Sequence, residues 1–131
     1  MPASGDQDAL VLGALECYQR AVTRVAEDFA RRGALVQPLD VDLDILDALI
    51  VRYRTRGEAR ESWLGSLPVT SDLERAVAEL ADMLQEEEFD EGDISWPGCT
   101  AGDTHPPTAA VVDGVACWQC PRSRAVLSRI L

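Results

Sequence analysis

The chain has 131 residues, of which 47% are hydrophobic, and a formal net charge of −11. That apolar share suits one ordinary core, or a small core with an appended module, and excludes general disorder. No apolar run is long enough to span a bilayer. The start, Met1-Pro2-Ala3-Ser4-Gly5-Asp6, lacks the basic residues and apolar stretch of a signal peptide. The expected setting is the cytoplasm, where thiols stay reduced. Residues 1–93 hold 21 of the 23 acids and 9 of the 12 basic residues, a balance of −12, whereas residues 94–131 carry +1. Phosphate contacts need clustered positive charge, so the acidic part opposes nucleic acid and anionic membrane. Such a charge also serves solubility alone.

Residues 1–7 read as a frayed tail. From Asp8 to about Arg32 runs the clearest helical pattern, with Val11, Leu15, Tyr18, Val22, Val25 and Phe29 on one stripe. Arg31-Arg32 suit its C-terminal dipole and Gly33 its cap. Cys17 sits beside that stripe and reads as a packing residue. Pro38 breaks the chain. The spacing of Leu43, Leu46, Ile50 and Tyr53 predicts a second helix from about Asp42 to Arg56, stopped at Gly57. A helical turn around Glu58–Leu64 would then carry Trp63. Asp40, Asp42, Asp44 and Asp47 resemble a calcium loop in composition, but the central Gly is missing and Val51 stands where a bidentate Glu belongs. They read as a capped, solvated helix face. Ser71-x-x-Glu74 is a capping box opening a helix to about Glu88, with Leu73, Val77, Leu80 and Leu84 as its apolar face.

Beyond Glu88 the composition changes. The acidic run through Asp93 reads as a linker, and Ile94–Leu131 is rich in Pro, Gly and Cys. Thr108–Val112 looks like a strand, Asp113-Gly114 is a two-residue hairpin signal, and Val115–Trp118 is the return strand. Ser123–Leu131 reads equally as a third strand or a short helix.

Around that hairpin lie three of the four cysteines and the only histidine: Cys99, His105, Cys117 and Cys120, in the pattern C-x5-H-x11-C-x2-C. Three thiols and one imidazole make a complete tetrahedral set for Zn2+, with no position left for substrate. The segment resembles a zinc ribbon, a small hairpin fold with two metal-binding turns. The resemblance covers residues 94–131 only, and the first half-site is C-x5-H where the ribbon pattern has C-x2-C. It implies a structural metal site. Ordinary free cysteines and a redox dithiol at Cys117/Cys120 are the competing readings. Trp96 and Trp118 flank these positions, either as a miniature core or as exposed anchors for a partner, with Arg122 and Arg124 adjacent.

The expected fold is mainly α: a bundle of about three helices over residues 1–93, with a zinc-ribbon-like module over 94–131. No catalytic residue is assigned, because the single histidine is assigned to metal and no Gly-rich phosphate loop is present. The expected function is a non-enzymatic adaptor or regulator that binds a protein partner with a basic surface. Self-association through the apolar stripes is a further option. A nucleic-acid-associated factor using the C-terminal segment is the alternative. A metal-dependent enzyme would require an open metal position.

Overall fold

A computed structural model describes residues 4–99 and 105–131. The first element is helix α1 (Ser4–Arg31). Tyr18, Val22, Val25 and Phe29 are buried along it, and Leu15 is partly so, as the stripe requires. Ala14, Cys17 and Ala21 fill the spaces between them. Gly33, at φ +70°, takes the left-handed position that ends the helix.

The next segment overturns the expectation of a mainly α bundle. In place of a helix over 42–56 and a turn over 58–64, the chain forms strands β1 (Val36–Leu43), β2 (Leu49–Thr55) and β3 (Glu61–Leu67). They pair antiparallel in the order β1-β2-β3. Leu43, Leu46, Ile50 and Tyr53 fit a helical spacing, but the stretch also fits a period of two. Val51 and Leu49 point inward, as does Tyr53, whose hydroxyl donates to Glu87 at 3.1 Å, while Arg52 and Arg54 meet Glu61 on β3. The β-branched Ile50 and Val51 favour the pleated alternative. Pro38 does not break the chain, because β1 is an edge strand and Pro38 lies at a bulge before Asp40. The bulge shifts the inward set from Val36 and Pro38 to Val41 and Leu43, so one face stays apolar. Across the sheet Gly65 lies opposite Ile50, and a Cβ there would sit 2.8 Å from the Ile50 Cγ2 methyl.

Helix α2 (Leu73–Asp90) starts one residue later than a Ser71 cap would give, because Asp72 is the N-cap and accepts from the Glu74 amide at 3.0 Å. Ala76, Val77, Leu80, Ala81 and Leu84 are its buried face. The hairpin follows as the sequence indicates: β4 (Thr108–Val112) and β5 (Val115–Gln119), with Val112 opposite Val115. Asp113 and Gly114 both adopt positive φ, the geometry of a type I′ turn. Residues 126–129 form β6, a third strand, completing the sheet β4-β5-β6. The described residues thus hold two helices and two three-stranded antiparallel sheets, an α+β fold.

One apolar cluster unites the helices with both sheets: Phe29, Val41, Val51, Leu80, Trp96, Ala116, Trp118 and Ile130 all belong to it. Polar ties reinforce it across great sequence distances. The Arg24 guanidinium donates to both Glu74 oxygens and to the Ile130 carbonyl, and Glu74 also accepts from the Ala116 amide at 3.0 Å. Gln85 donates to the carbonyls of Trp96 at 2.9 Å and Pro107 at 2.7 Å. The buried Glu88 carboxylate accepts from the Leu35 and Val36 amides, while burial raises its pKa above the ordinary carboxylate range.

Candidate functional site

The four residues assigned to zinc do not converge. On β5 the side chains alternate, so Ala116 and Trp118 enter the core while Cys117 faces the opposite side of the sheet. There it lines a hollow with Val112, Val115, Val126 and Arg129, and burial raises its thiol pKa. Cys120 lies one residue past the strand, where the chain turns: its amide donates to Ala125 O and its carbonyl accepts from Arg124. Hydrogen bonding from Ser123 holds the Cys120 thiol below the ordinary cysteine pKa. His105 is exposed, and its Nε2 lies 3.1 Å from the Arg122 guanidinium. A guanidinium only donates, so this imidazole nitrogen acts as acceptor towards it. Among the described residues, no three of His, Cys, Asp or Glu gather in a way that could hold a metal ion. The zinc-ribbon expectation is corrected on that finding: Cys117 lies within β5 and Cys120 in the turn after it, and no metal-binding group forms around them among the described residues.

Trp96 and Trp118 are core residues and not exposed anchors, but they belong to the core shared with α1 and not to a miniature core of the C-terminal segment. Both are buried, in ring contact with Phe29 and with each other. The Trp118 indole N–H donates to Asp28 at 2.9 Å, and the Arg32 guanidinium lies 6.0 Å from the ring centroid. Asp28 is fully buried on α1 and also accepts from Arg32 at 2.9 Å. Nothing in the helical stripe singles it out. Arg122 and Arg124 are exposed on the β5–β6 turn, so of the four positions assigned to partner contact only these two present their side chains to solvent.

The feature that sequence reasoning missed is the β1–β2 turn. The Asp44 carboxylate accepts from the amides of Leu46 at 2.8 Å and Ala48 at 2.9 Å, and Asp47 takes a positive φ of 59°. This side-chain-to-backbone bonding closes the turn. It thrusts out Ile45, 99% exposed, and Leu46, 83% exposed. Beside them is a hollow of about 290 Å³ between the start of α1 and the hairpin, lined by Asp8, Val11, Leu12, Leu43 and Asp47. Leu10 and Leu12 on α1 are also exposed. The aspartates read as a solvated helix face therefore have other duties: Asp44 builds the turn, Asp47 lines the hollow, and Asp40 and Asp42 accept from the following amides.

No helix among the described residues is long and apolar enough to cross a membrane. Compared with family models, curated proteins and solved structures, the chain matches none.

Proposed function

We propose that this chain is a non-enzymatic cytoplasmic binding protein, an adaptor or regulator that docks a protein partner at the β1–β2 turn. The observation that carries this reading is the exposure of Ile45 and Leu46 beside an apolar hollow with carboxylates at its rim. Two adjacent large aliphatic side chains held out by a hydrogen-bonded turn contribute nothing to the fold's own core. Clustered exposed apolar side chains rimmed by polar groups are the ordinary form of a protein contact.

The partner's chemistry follows from the rim. Asp8 and Asp47 flank the hollow and Asp42 and Asp44 lie close along the chain, within a region of net charge −12. A segment with an apolar side chain for the hollow and arginine or lysine beside it complements both features. Charge complementarity of this kind speeds association at low salt. A phosphate backbone would be repelled by the same groups.

The test compares the wild-type chain with Ile45→Ser/Leu46→Ser as baits in extract from the native host. Wild type retains a basic protein in defined stoichiometry, retention falls with salt, and the double variant loses it while keeping its circular-dichroism spectrum and thermal midpoint. Equal retention by both baits, or tight low-salt binding of mixed-sequence DNA or RNA, rejects the reading.

A further inference from the structure

The two described sheets have four edges, and three of them are guarded. On β1, Pro38 has no N–H, the Val41 and Leu43 amides donate to Asp40 and Asp42 at 2.8 Å, and Gln19 on α1 donates to the Val41 carbonyl at 3.3 Å. β4 packs along α2. β6 is only four residues long, and Arg24 and Arg32 hold that end of the chain through the Ile130 carbonyl and the Ser128 hydroxyl. Short, covered or side-chain-capped edges are how sheets avoid pairing with other chains. β3 has none of these devices. It contains neither proline nor lysine, and among the described residues its backbone bonds to β2 alone. Trp63 stands on its outer face, 50% exposed, with the Arg52 guanidinium 5.9 Å from the ring centroid.

We propose that two copies of this chain pair through β3, antiparallel about a two-fold axis at Trp63, and so form one six-stranded sheet. The register follows from the ladder. β3 pairs regularly with β2 over Glu61–Gly65 and shifts beyond it, so Trp63 is the centre of the regular stretch. About the axis Trp63 meets its own copy, Glu61 meets Gly65, and Ser62 meets Leu64. No like charges stand opposite, and aromatic cross-strand pairs stabilise such ladders. Asp40, Arg52 and Trp63 already lie opposite one another across β1, β2 and β3. The outer face therefore carries acid, cation and ring up to the axis, and the same order reversed beyond it.

Charge selects a second copy as the occupant. Towards the β1–β2 turn, residues 40–47 hold Asp40, Asp42, Asp44 and Asp47 and no base. Towards the β2–β3 turn, residues 52–61 hold Arg52, Arg54, Arg56 and Arg60 against Glu58 and Glu61, a balance of +2. An antiparallel copy sets the arginine end of each sheet beside the aspartate end of the other, and complementary ends steer association and fix register. The contact is isologous and leaves only the guarded β1 edges outside, so assembly stops at two. The paired edge is short, which makes the dimer concentration-dependent. None of this rests on the docking at the β1–β2 turn, because β3 lines no part of that hollow.

The experiment is sedimentation equilibrium of the full, reduced chain from about 1 μM to about 1 mM, with hydrogen exchange and isotope-filtered NMR on mixed labelled and unlabelled chains. A monomer–dimer equilibrium is expected, weakening as salt rises. Exchange should slow with concentration in Glu61–Gly65 and stay constant in β1, and inter-chain contacts should join Glu61 of one copy to Gly65 of the other. Trp63→Lys sets two cations together on the axis, so it should weaken the dimer at least about tenfold with an unchanged circular-dichroism spectrum. Trp63→Tyr keeps a ring and should still dimerise. A chain that stays monomeric throughout overturns the proposal, even if a foreign strand from host extract then protects β3. So do assembly beyond two, inter-chain contacts at Ile45 and Leu46 in place of β3, or a folded Trp63→Lys that dimerises as well as wild type.

Discussion

Replacing Asp28 with alanine tests whether the core is held by the polar tie between α1 and β5. Asp28 is fully buried, and its carboxylate accepts from the Trp118 indole at 2.9 Å and from Arg32 at 2.9 Å. Alanine leaves the Trp118 N–H buried without its acceptor, at a cost of about 1–3 kcal/mol. Arg32 is 25% exposed at its side chain and also donates to Ser128 Oγ at 2.6 Å, so it keeps a partner and some water. Its share is that of a partly screened pair, about 1 kcal/mol. The expected loss is about 2–4 kcal/mol out of a total near 5–15 for a domain of this kind. Asp28→Asn retains an oxygen for the indole and should cost about half as much. Adding Trp118→Phe to Asp28→Ala removes the orphaned donor, so the double variant should fall less than the sum of the singles. Urea unfolding followed by circular dichroism reads all four proteins. A loss below about 1 kcal/mol for Asp28→Ala, or strict additivity with Trp118→Phe, would refute the reasoning.

Leu80 is fully buried, so Leu80→Ala should cost about 2–5 kcal/mol, and Leu15→Ala, at a partly buried position, distinctly less; equal midpoints in urea would show the stripes misplaced. Asp44→Ala removes the acceptor for two amides, so hydrogen exchange should speed up at Leu46 and Ala48 while Val51 stays protected; global loss of protection would mean the turn nucleates the whole sheet. Arg24 holds the Glu74 carboxyl below the ordinary glutamate range, so the pair's contribution is full above the unfolded value of about 4.3 and is lost as pH falls through the depressed folded value. With both side chains 23% exposed, water screens the pair, and Glu74→Gln should cost about 1 kcal/mol at pH 7 and progressively less in acid; a difference that does not shrink below pH 4 would place the effect elsewhere.

The two halves of the fold differ in how plainly the sequence declares them. Helix α1 is long enough for six stripe positions to repeat, and the type I′ pair Asp113-Gly114 has one common meaning, so both elements stand where their patterns indicate. Residues 36–67 carry weaker signals. A short apolar run fits either period, and the discriminating details are local exceptions. Leu39 is the extra residue of a bulge, Pro38 is tolerated only because β1 is an edge, and Asp44 closes a turn that lacks the usual Asn-Gly or Asp-Gly pair. Four aspartates at close spacing suggested a capped helix because aspartate caps helices and closes turns by the same side-chain acceptance of backbone amides. Composition alone does not separate the two uses.

The site was less legible than the fold for a different reason. Counting Cys and His identifies residue types suited to a metal, but ligation requires their side chains to meet. On a strand, a shift of one residue reverses the side chain's face. Cys117 is placed by the register of β5, whereas Cys120 is placed by the turn that bonds it to Arg124 and Ala125, and the C-x-x-C spacing records neither. Burial follows the same logic. The tryptophans fit a core or an anchor reading equally by residue type, because large aromatics serve both, and the shared cluster with Phe29 decides for the core. The outward positions of Ile45 and Leu46 follow equally from assigning the turn: as helix residues they would join an inward stripe, and as turn residues they have no core to enter. The correction that moved residues 42–56 from helix to strand therefore also exposed the surface on which the proposed docking rests.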